Sequence, residues 1–249
     1  MSQQLPSLSI SDYDYSLPDE RIARYPVERG QSRLLVNRKG HLQNRAYQAL
    51  PEELPPESLL LFNETKVVQA RLLFPRSGGG FIEVFCLEPQ QARSVEEAMQ
   101  AGSPVDFRCL VGGAKKWKDQ PLVMEGDNWQ LRAEKIEREG AYFTVRLSWN
   151  TAHNFGELLE LAGKTPLPPY LTRAAEEQDK ELYQTVFARL PGSVAAPTAG
   201  LHFTEELLTR LEEAGHQQGR VILHVGAGTF RPVQEEDLRS HEMHAEEVA

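Results

Sequence analysis

Cysteine is nearly missing from this 249-residue chain; Cys86 and Cys109 are the only two. That excludes a disulfide framework and any zinc site built on a cysteine cluster, and buried free thiols in a reducing cytosol are expected instead. Long hydrophobic runs are missing too: nothing approaches the roughly 18 uninterrupted apolar residues of a membrane helix. The opening MSQQLPSLSISDYDYSLPDE has neither the basic nor the apolar region of a secretory signal. A cytoplasmic protein with no membrane partner is the expectation. An excess of positive charge is also lacking, since the net charge is −9, which argues against coating nucleic acid by bulk electrostatics. What is present, 40% hydrophobic and 25% charged residues, is ordinary for a globular fold. The length suits one large domain or two modest ones at about 150 residues each.

The charge is unevenly spread. Between Arg21 and Arg45 seven basic residues stand against one acid, Glu28, whereas the last fifteen residues hold six acids against Arg239. A solvated face is the ordinary explanation of such a run; a polyanion docking on one side is the other.

Along the chain, Leu17 to Arg24 reads as a short helix stopping before Pro26. Arg33 to Val36 reads as a strand turned by Arg38-Lys39-Gly40, and Leu59 to Phe62 as a buried strand ending at Asn63. From about Arg71 to Trp149 short β-type runs alternate with glycine-rich turns: Arg71–Phe74, Phe81–Leu87, Val105–Val111, Trp129–Ala133 and Ala141–Leu147. That spacing predicts a small antiparallel barrel or sandwich. Helices return with an Asn154-capped stretch ended by Gly163, then Glu176 to Ala188, then Thr204 to Ala214 with Thr204 as N-cap and Gly215 as stop. Val221 to Val225 reads as a strongly buried strand. The expected architecture is a mixed α/β (α+β) main domain interrupted by an inserted antiparallel β-barrel domain: residues 1–68 and 150–249 form the main domain, and residues 69–149 the insert.

Three segments are rich in chemistry-bearing or small residues. GSVAAPTAGLHFT, from Gly192 to Thr204, lets backbone approach a ligand and feeds a helix whose N-terminus can hold an anion; a tight structural turn is the alternative. HVGAGTFRP, from His224 to Pro232, follows a buried strand but lacks the third glycine of a dinucleotide fingerprint. It offers amide hydrogens at a strand's carboxyl end, where ligands of α/β sheets bind. HEMHAE, from His241 to Glu246, invites a metal through His241, His244 and Glu246. Its histidines are three apart, not four as in HExxH, and no metal is expected. Two further segments support these: LLLFNETKVVQAR, from Leu59 to Arg71, and the stiff TPLPPYL, from Thr165 to Leu171, which presents Tyr170.

In this order, PLPPYLTR, LYQTVFA, GSVAAPTAGLHFT, LHVGAGTFRPV and HEMHAEE resemble the S-adenosylmethionine:tRNA ribosyltransferase-isomerases of queuosine biosynthesis. LLLFNETKVVQARL and GGGFIEV agree with that family's N-terminal half. The resemblance implies an α/β domain with an inserted β-barrel. It implies transfer and isomerisation of the ribosyl group of S-adenosylmethionine onto 7-aminomethyl-7-deazaguanine at a tRNA wobble position, giving epoxyqueuosine with release of adenine and methionine. S-adenosylmethionine would be a co-substrate, with no resident cofactor, and a monomer is favoured for the full-length parent.

For that chemistry, the sulfonium acidifies its adjacent methylene, so a positioned base could remove a proton. His202 and His224 are the catalytic candidates, because imidazole titrates near working pH. Amides around Gly226 and Gly228, and at the helix after His202, are candidates for the methionine carboxylate or developing oxyanions. Tyr170 and Phe230 are candidates for stacking on a base. Thr198, Gly200, Thr229, Arg231, His244 and Glu246 complete the expected substrate-binding set. The Arg21–Arg45 stretch, or Lys115, Lys116 and Lys118, would meet the tRNA.

The chain departs from the family wording at Glu64, Lys66, Gln69 and Thr165. Family members also normally continue past the HxMHxE segment, whereas this sequence stops at Ala249; a fragment or shortened relative with open strand edges, prone to oligomers or poor solubility, is therefore expected. Two rivals stand beside the transferase: a truncated, non-catalytic tRNA- or ligand-binding relative, and a histidine-based metal-dependent hydrolase.

Overall fold

The computed structural model describes residues 8–118, 120–230 and 232–248. A hairpin of β1 (Arg33–Arg38) and β2 (His41–Ala46) is followed by a single helical turn, α1 (Leu50–Glu53), and then by β3 (Leu59–Asn63) and β4 (Thr65–Val67). The next stretch holds β5 (Arg71–Pro75), β6 (Phe81–Pro89), the helix α2 (Val95–Gln100), β7 (Val105–Gly112), β8 (Leu122–Glu125), β9 (Gln130–Glu139) and β10 (Tyr142–Trp149). After it come α3 (Phe155–Ala162), the single turn α4 (Asp179–Leu182), β11 (Leu190–Ser193), α5 (Glu205–Glu213), β12 (Gln217–Val221), β13 (Leu223–His224) and β14 (Glu247–Val248).

Strands β5 to β10 make one antiparallel sheet in the order β5-β6-β7-β10-β9-β8. Its edge strands, β5 and β8, approach each other, so the sheet curls into a nearly closed barrel. The reason is written in the alternation. Along β10, Phe143, Val145, Leu147 and Trp149 all point inward, where they join Leu72, Phe74, Ile82, Phe107 and Leu131. Each such fully buried side chain contributes about 1.5–3 kcal/mol. Cys86 and Cys109 face each other across β6 and β7 in this core, both free and buried. Burial pushes the Cys109 thiol well above its ordinary range, and the neighbouring Cys86 adds to the effect.

Helices α2 and α3 pack against each other and against the barrel core. Phe155, Leu158 and Leu159 of α3 are buried in the barrel core. A capping box starts α3, with Asn154 accepting from the Glu157 amide while Glu157 accepts from the Asn154 amide. The rest of the chain is built from short pieces. β3 pairs in parallel with β12, and β4 in parallel with β11. A second core joins Tyr47, Phe62 and Phe203 to Leu207, Leu208 and Leu211 of α5, which Thr204 caps as expected.

Four local expectations are corrected. Leu17 to Arg24 is not a helix but one 3-10 turn, Asp19–Arg21, with no side-chain cap. Glu176 to Ala188 folds only as the single turn α4, because tertiary contacts take over its groups. Asp179 is pulled to Arg173, Gln184 hydrogen-bonds both the amide and the carbonyl of Val67, and Arg29 donates to the carbonyls of Glu181 and Gln184. Val221 to Val225 is not one strongly buried strand. The Asn63 side-chain amide bonds the backbone of Leu223 at both its N–H and C=O, breaking the run at Ile222; β13 then pairs with β14 instead of β3. The run around Trp129 extends to Glu139 as β9, and β8 adds a strand beyond those read from the pattern.

Candidate active site

A cavity of about 1320 Å³ opens between the barrel and the C-terminal segments. One wall comes from the barrel side, through Arg93, Ser94, Val95, Arg108 and Tyr142; the other is formed by Gly192, Val194 and residues 224–229, 232–235 and 241–246. The β13–β14 pairing, which sets Leu223 opposite Val248 and His224 opposite Glu247, brings the two histidine-bearing motifs together.

His224 is 4% exposed and heads a chain of hydrogen bonds whose direction is fixed at both ends. Val225 N–H donates to Ser193 Oγ at 2.7 Å. Ser193 Oγ and Thr65 Oγ1 are 2.8 Å apart, Thr65 Oγ1 and His224 Nδ1 2.9 Å, and His224 Nε2 and Glu96 Oε1 2.8 Å. Burial would push the Glu96 carboxyl up, but hydrogen bonds from His224, its own amide and Ser94 outweigh this and hold it below the usual carboxylate range. An ionised carboxylate only accepts, so Nε2 carries the proton. In the neutral ring Nδ1 then accepts from Thr65, whose oxygen accepts from Ser193. Both ring nitrogens of His224 are therefore engaged. Gly192 makes this seat possible, since a Cβ there would stand 2.5 Å from His224 Cε1.

The motif amides are not all free. Gly226 N–H donates to Glu246 Oε2 at 2.6 Å, so the expected carboxylate site is filled by the chain's own carboxylate. Glu246 Oε1 lies 3.0 Å from His244 Nε2. Gly228 leaves the slot for that imidazole, where a Cβ would come within 2.4 Å of His244 Cγ. A third pair, His241 Nδ1 with Glu235 Oε2 at 3.1 Å, lines the same cavity. Among the described residues no group of three or more His, Cys, Asp or Glu side chains is arranged to hold a metal ion.

Of the expected site residues, His224, Gly226, Gly228, Thr229, His244 and Glu246 line this cavity. His202 does not. Its Nδ1 bonds Ser32 Oγ at 2.9 Å and its ring packs on Tyr47, whose phenol burial pushes up to about 12. Thr198 is exposed, and Gly200 faces Thr185 and Phe187, away from the cavity wall. Tyr170 is 58% exposed and outside it. Phe230 packs against Phe85 of β6 with ring centroids 6.4 Å apart. In the helix after His202 the Leu207 amide donates to the Thr204 cap. Arg231 lies outside the described residues.

Residues that the motifs did not single out also matter. Glu96 reaches His224 from α2, a helix whose signal was legible as Ser94 followed three residues later by Glu97; the Ser94 side chain does accept from the Glu97 amide. Thr65 and Ser193 sit inside motifs already noted, yet nothing in their spacing pairs them. The four family departures avoid the cavity. Glu64 binds Arg189 at 2.8 Å, and Lys66 lies 3.8 Å from Glu160. The other two answer each other: Thr165 Oγ1 donates to Gln69 Oε1 at 2.8 Å, both buried.

Of the early basic stretch, Arg38 and Arg45 pair with Glu53, and Arg29 bonds carbonyls. A second cavity of about 950 Å³, on the barrel, is lined by Lys115, Lys116, Lys135 and Arg138 among others.

A family model described as queuosine biosynthesis protein matches residues 10–249. The chain belongs to that family. It is 42% identical over 247 residues to the S-adenosylmethionine:tRNA ribosyltransferase-isomerase of Anaeromyxobacter sp. (strain Fw109-5), covering 96% of this chain and 67% of the relative. It is 41% identical over 242 residues to that of Chlorobaculum parvum (strain DSM 263 / NCIMB 8327), covering 96% and 66%. Among solved structures, the S-adenosylmethionine tRNA ribosyltransferase of Thermotoga maritima matches at 28% identity and a TM-score of 0.32, covering 86% of this chain and 58% of that one. The chain spans about two thirds of the length of the curated relatives it matches. No helix among the described residues is long and apolar enough to cross a membrane.

Proposed function

We propose that this chain carries the queuosine-family transferase chemistry: the ribosyl group of S-adenosylmethionine is transferred to 7-aminomethyl-7-deazaguanine in tRNA and isomerised, with adenine and methionine released. The observation that carries this reading is identity above 40% with ribosyltransferase-isomerases across 96% of the chain. The cavity supports it physically. Its 1320 Å³ exceeds the roughly 300–1,000 Å³ usual for one small ligand, leaving room for a nucleoside co-substrate and a base together. Glu235, Glu242 and Glu246 in its wall suit a sulfonium cation. The co-substrate is consumed, and no resident cofactor enters the reaction.

The same reading makes residues 69–149 a module inserted between 1–68 and 150–249. Arg71, near its start, is bridged to Lys164 of the second part, where each backbone N–H bonds the other's carbonyl. The basic residues beside the barrel cavity are its proposed phosphate contacts. Binding of modified tRNA should then weaken steeply as salt rises, and a flat salt response would remove them.

Adenine release from S-adenosylmethionine, measured with and without tRNA carrying 7-aminomethyl-7-deazaguanine, tests the function. Release that depends on the modified tRNA is expected. Binding of both substrates with no adenine formed would overturn it in favour of a binding module.

A further inference from the structure

Three imidazoles line the cavity, and the structure sorts them. His224 has both nitrogens engaged and is almost wholly buried, which makes it a fixed wall element. His241 pairs with Glu235, a side chain that is 42% exposed and also accepts from the Gln234 amide. His244 differs. Its ring sits in the slot left by Gly228, its side chain is 39% exposed, and among the described residues Nδ1 has no hydrogen-bond partner. Its Nε2 faces Glu246 Oε1, and Glu246 is itself anchored through its other oxygen by Gly226 N–H. The two glycines of Gly226-Ala227-Gly228 thus act on one pair: the first holds the carboxylate and the second seats the imidazole.

We propose that His244 is the general base of this cavity and that Glu246 is its positioning residue. The inference rests on the transferase reading above. A carboxylate oxygen 3.0 Å from Nε2 repels a lone pair there, so the neutral ring carries its proton on Nε2 and presents the Nδ1 lone pair to the cavity. Nδ1 takes a proton from the methylene beside the sulfonium. The C–H electron pair stays on that carbon as an ylide, and the new imidazolium lies against Glu246. This is the base-plus-orienting-carboxylate arrangement seen in hydrolytic triads, here assembled from the last residues of the sequence.

His244→Gln and His241→Gln, each in the full chain, separate the candidates. Expected is a fall in the maximal rate of adenine release of at least about 100-fold for His244→Gln, with the dissociation constant for S-adenosylmethionine, read by calorimetry, unchanged within about threefold and a much smaller loss for His241→Gln. Equal losses in the two variants, or a near-normal rate in His244→Gln, would overturn the assignment. Histidine ¹⁵N spectra, with the His244 signals identified by their loss in His244→Gln, give a second readout that a merely structural Glu246 would not move. The Nε2–H form should dominate in the unaltered chain and give way in Glu246→Ala; an Nδ1–H form in the unaltered chain sinks the proposal whatever the rates. Failure of the transferase reading itself would appear differently, as no adenine release by the unaltered chain.

Discussion

Thr65 and His224 stand 159 positions apart in sequence and 2.9 Å apart in space, hydroxyl to imidazole. Their contact lies at the centre of a buried chain that ties β4, β11, β13 and α2 together through Thr65, Ser193, His224 and Glu96. Because the chain ends on the Glu96 carboxylate, which only accepts, and each neutral member before it donates once and accepts once, the network has a single consistent direction. That rigidity shapes the wall on which the Glu246–His244 pair is mounted.

Removing a link should cost more than a surface hydrogen bond. Thr65→Val keeps the volume but leaves His224 Nδ1 without a donor and the Ser193 hydroxyl without an acceptor. A loss of about 1–3 kcal/mol is expected, read as a lowered urea midpoint with unchanged slope. A midpoint equal to that of the unaltered chain would show that the network is not formed in solution.

The two glycine notches should respond differently to the same added methyl. Gly192→Ala pushes a Cβ into His224 and within 2.8 Å of Val95, inside packed structure, and should destabilise by about 1–3 kcal/mol. Gly228→Ala displaces the half-exposed His244 ring instead. Its expected signature is a large fall in adenine release with little change in melting temperature; the reverse pattern would contradict the placement of these rings.

Asp179 is fully buried and bound by both terminal guanidinium nitrogens of Arg173 at 2.6 Å. Burial pushes its carboxyl up, but the Arg173 hydrogen bonds and the Glu176 amide outweigh burial and leave it below the usual range. A depressed folded value means stability that is fully present above the unfolded value of about 3.9 and is lost as pH falls through the folded one. Asp179→Asn should destabilise at pH 7 by about 3–5 kcal/mol, because it removes the counter-charge of a buried guanidinium. It should also flatten the decline in stability below about pH 4. Denaturant melts at pH 7, 4 and 3 check both effects.

Cys86 and Cys109 face each other in the barrel core, and the raised Cys109 thiol is a poor nucleophile. Alkylation in native buffer should proceed only through global unfolding, in step with the denaturant dependence of stability. Rapid native-state labelling would mean that the barrel opens locally.

Much of the fold was legible in the sequence because its signals are local. The period-two pattern from Arg71 to Trp149 fixes which faces of β5, β6, β7, β9 and β10 turn inward, and the Asn154 and Thr204 caps fix two helix starts within a residue. Two of the three motifs supply residues 224–229, 232 and 241–246 of the cavity wall, whereas of Gly192 to Thr204 only Gly192 and Val194 line it. Local signals failed where distant groups outcompete propensity. Helix formers from Glu176 to Ala188 are held by Arg173, Val67 and Arg29, and Asn63 cuts the apolar run at Ile222. The same limit governs the site. His202 and His224 look alike as exceptional residues in small-residue motifs, yet one packs on Tyr47 outside the cavity and the other is locked by Thr65 and Glu96. Sequence determines which groups exist and which local periods they obey; the free energy of burying a polar atom depends on what lies beside it, and only the tertiary structure brings Glu96 to His224 and Glu246 to Gly226.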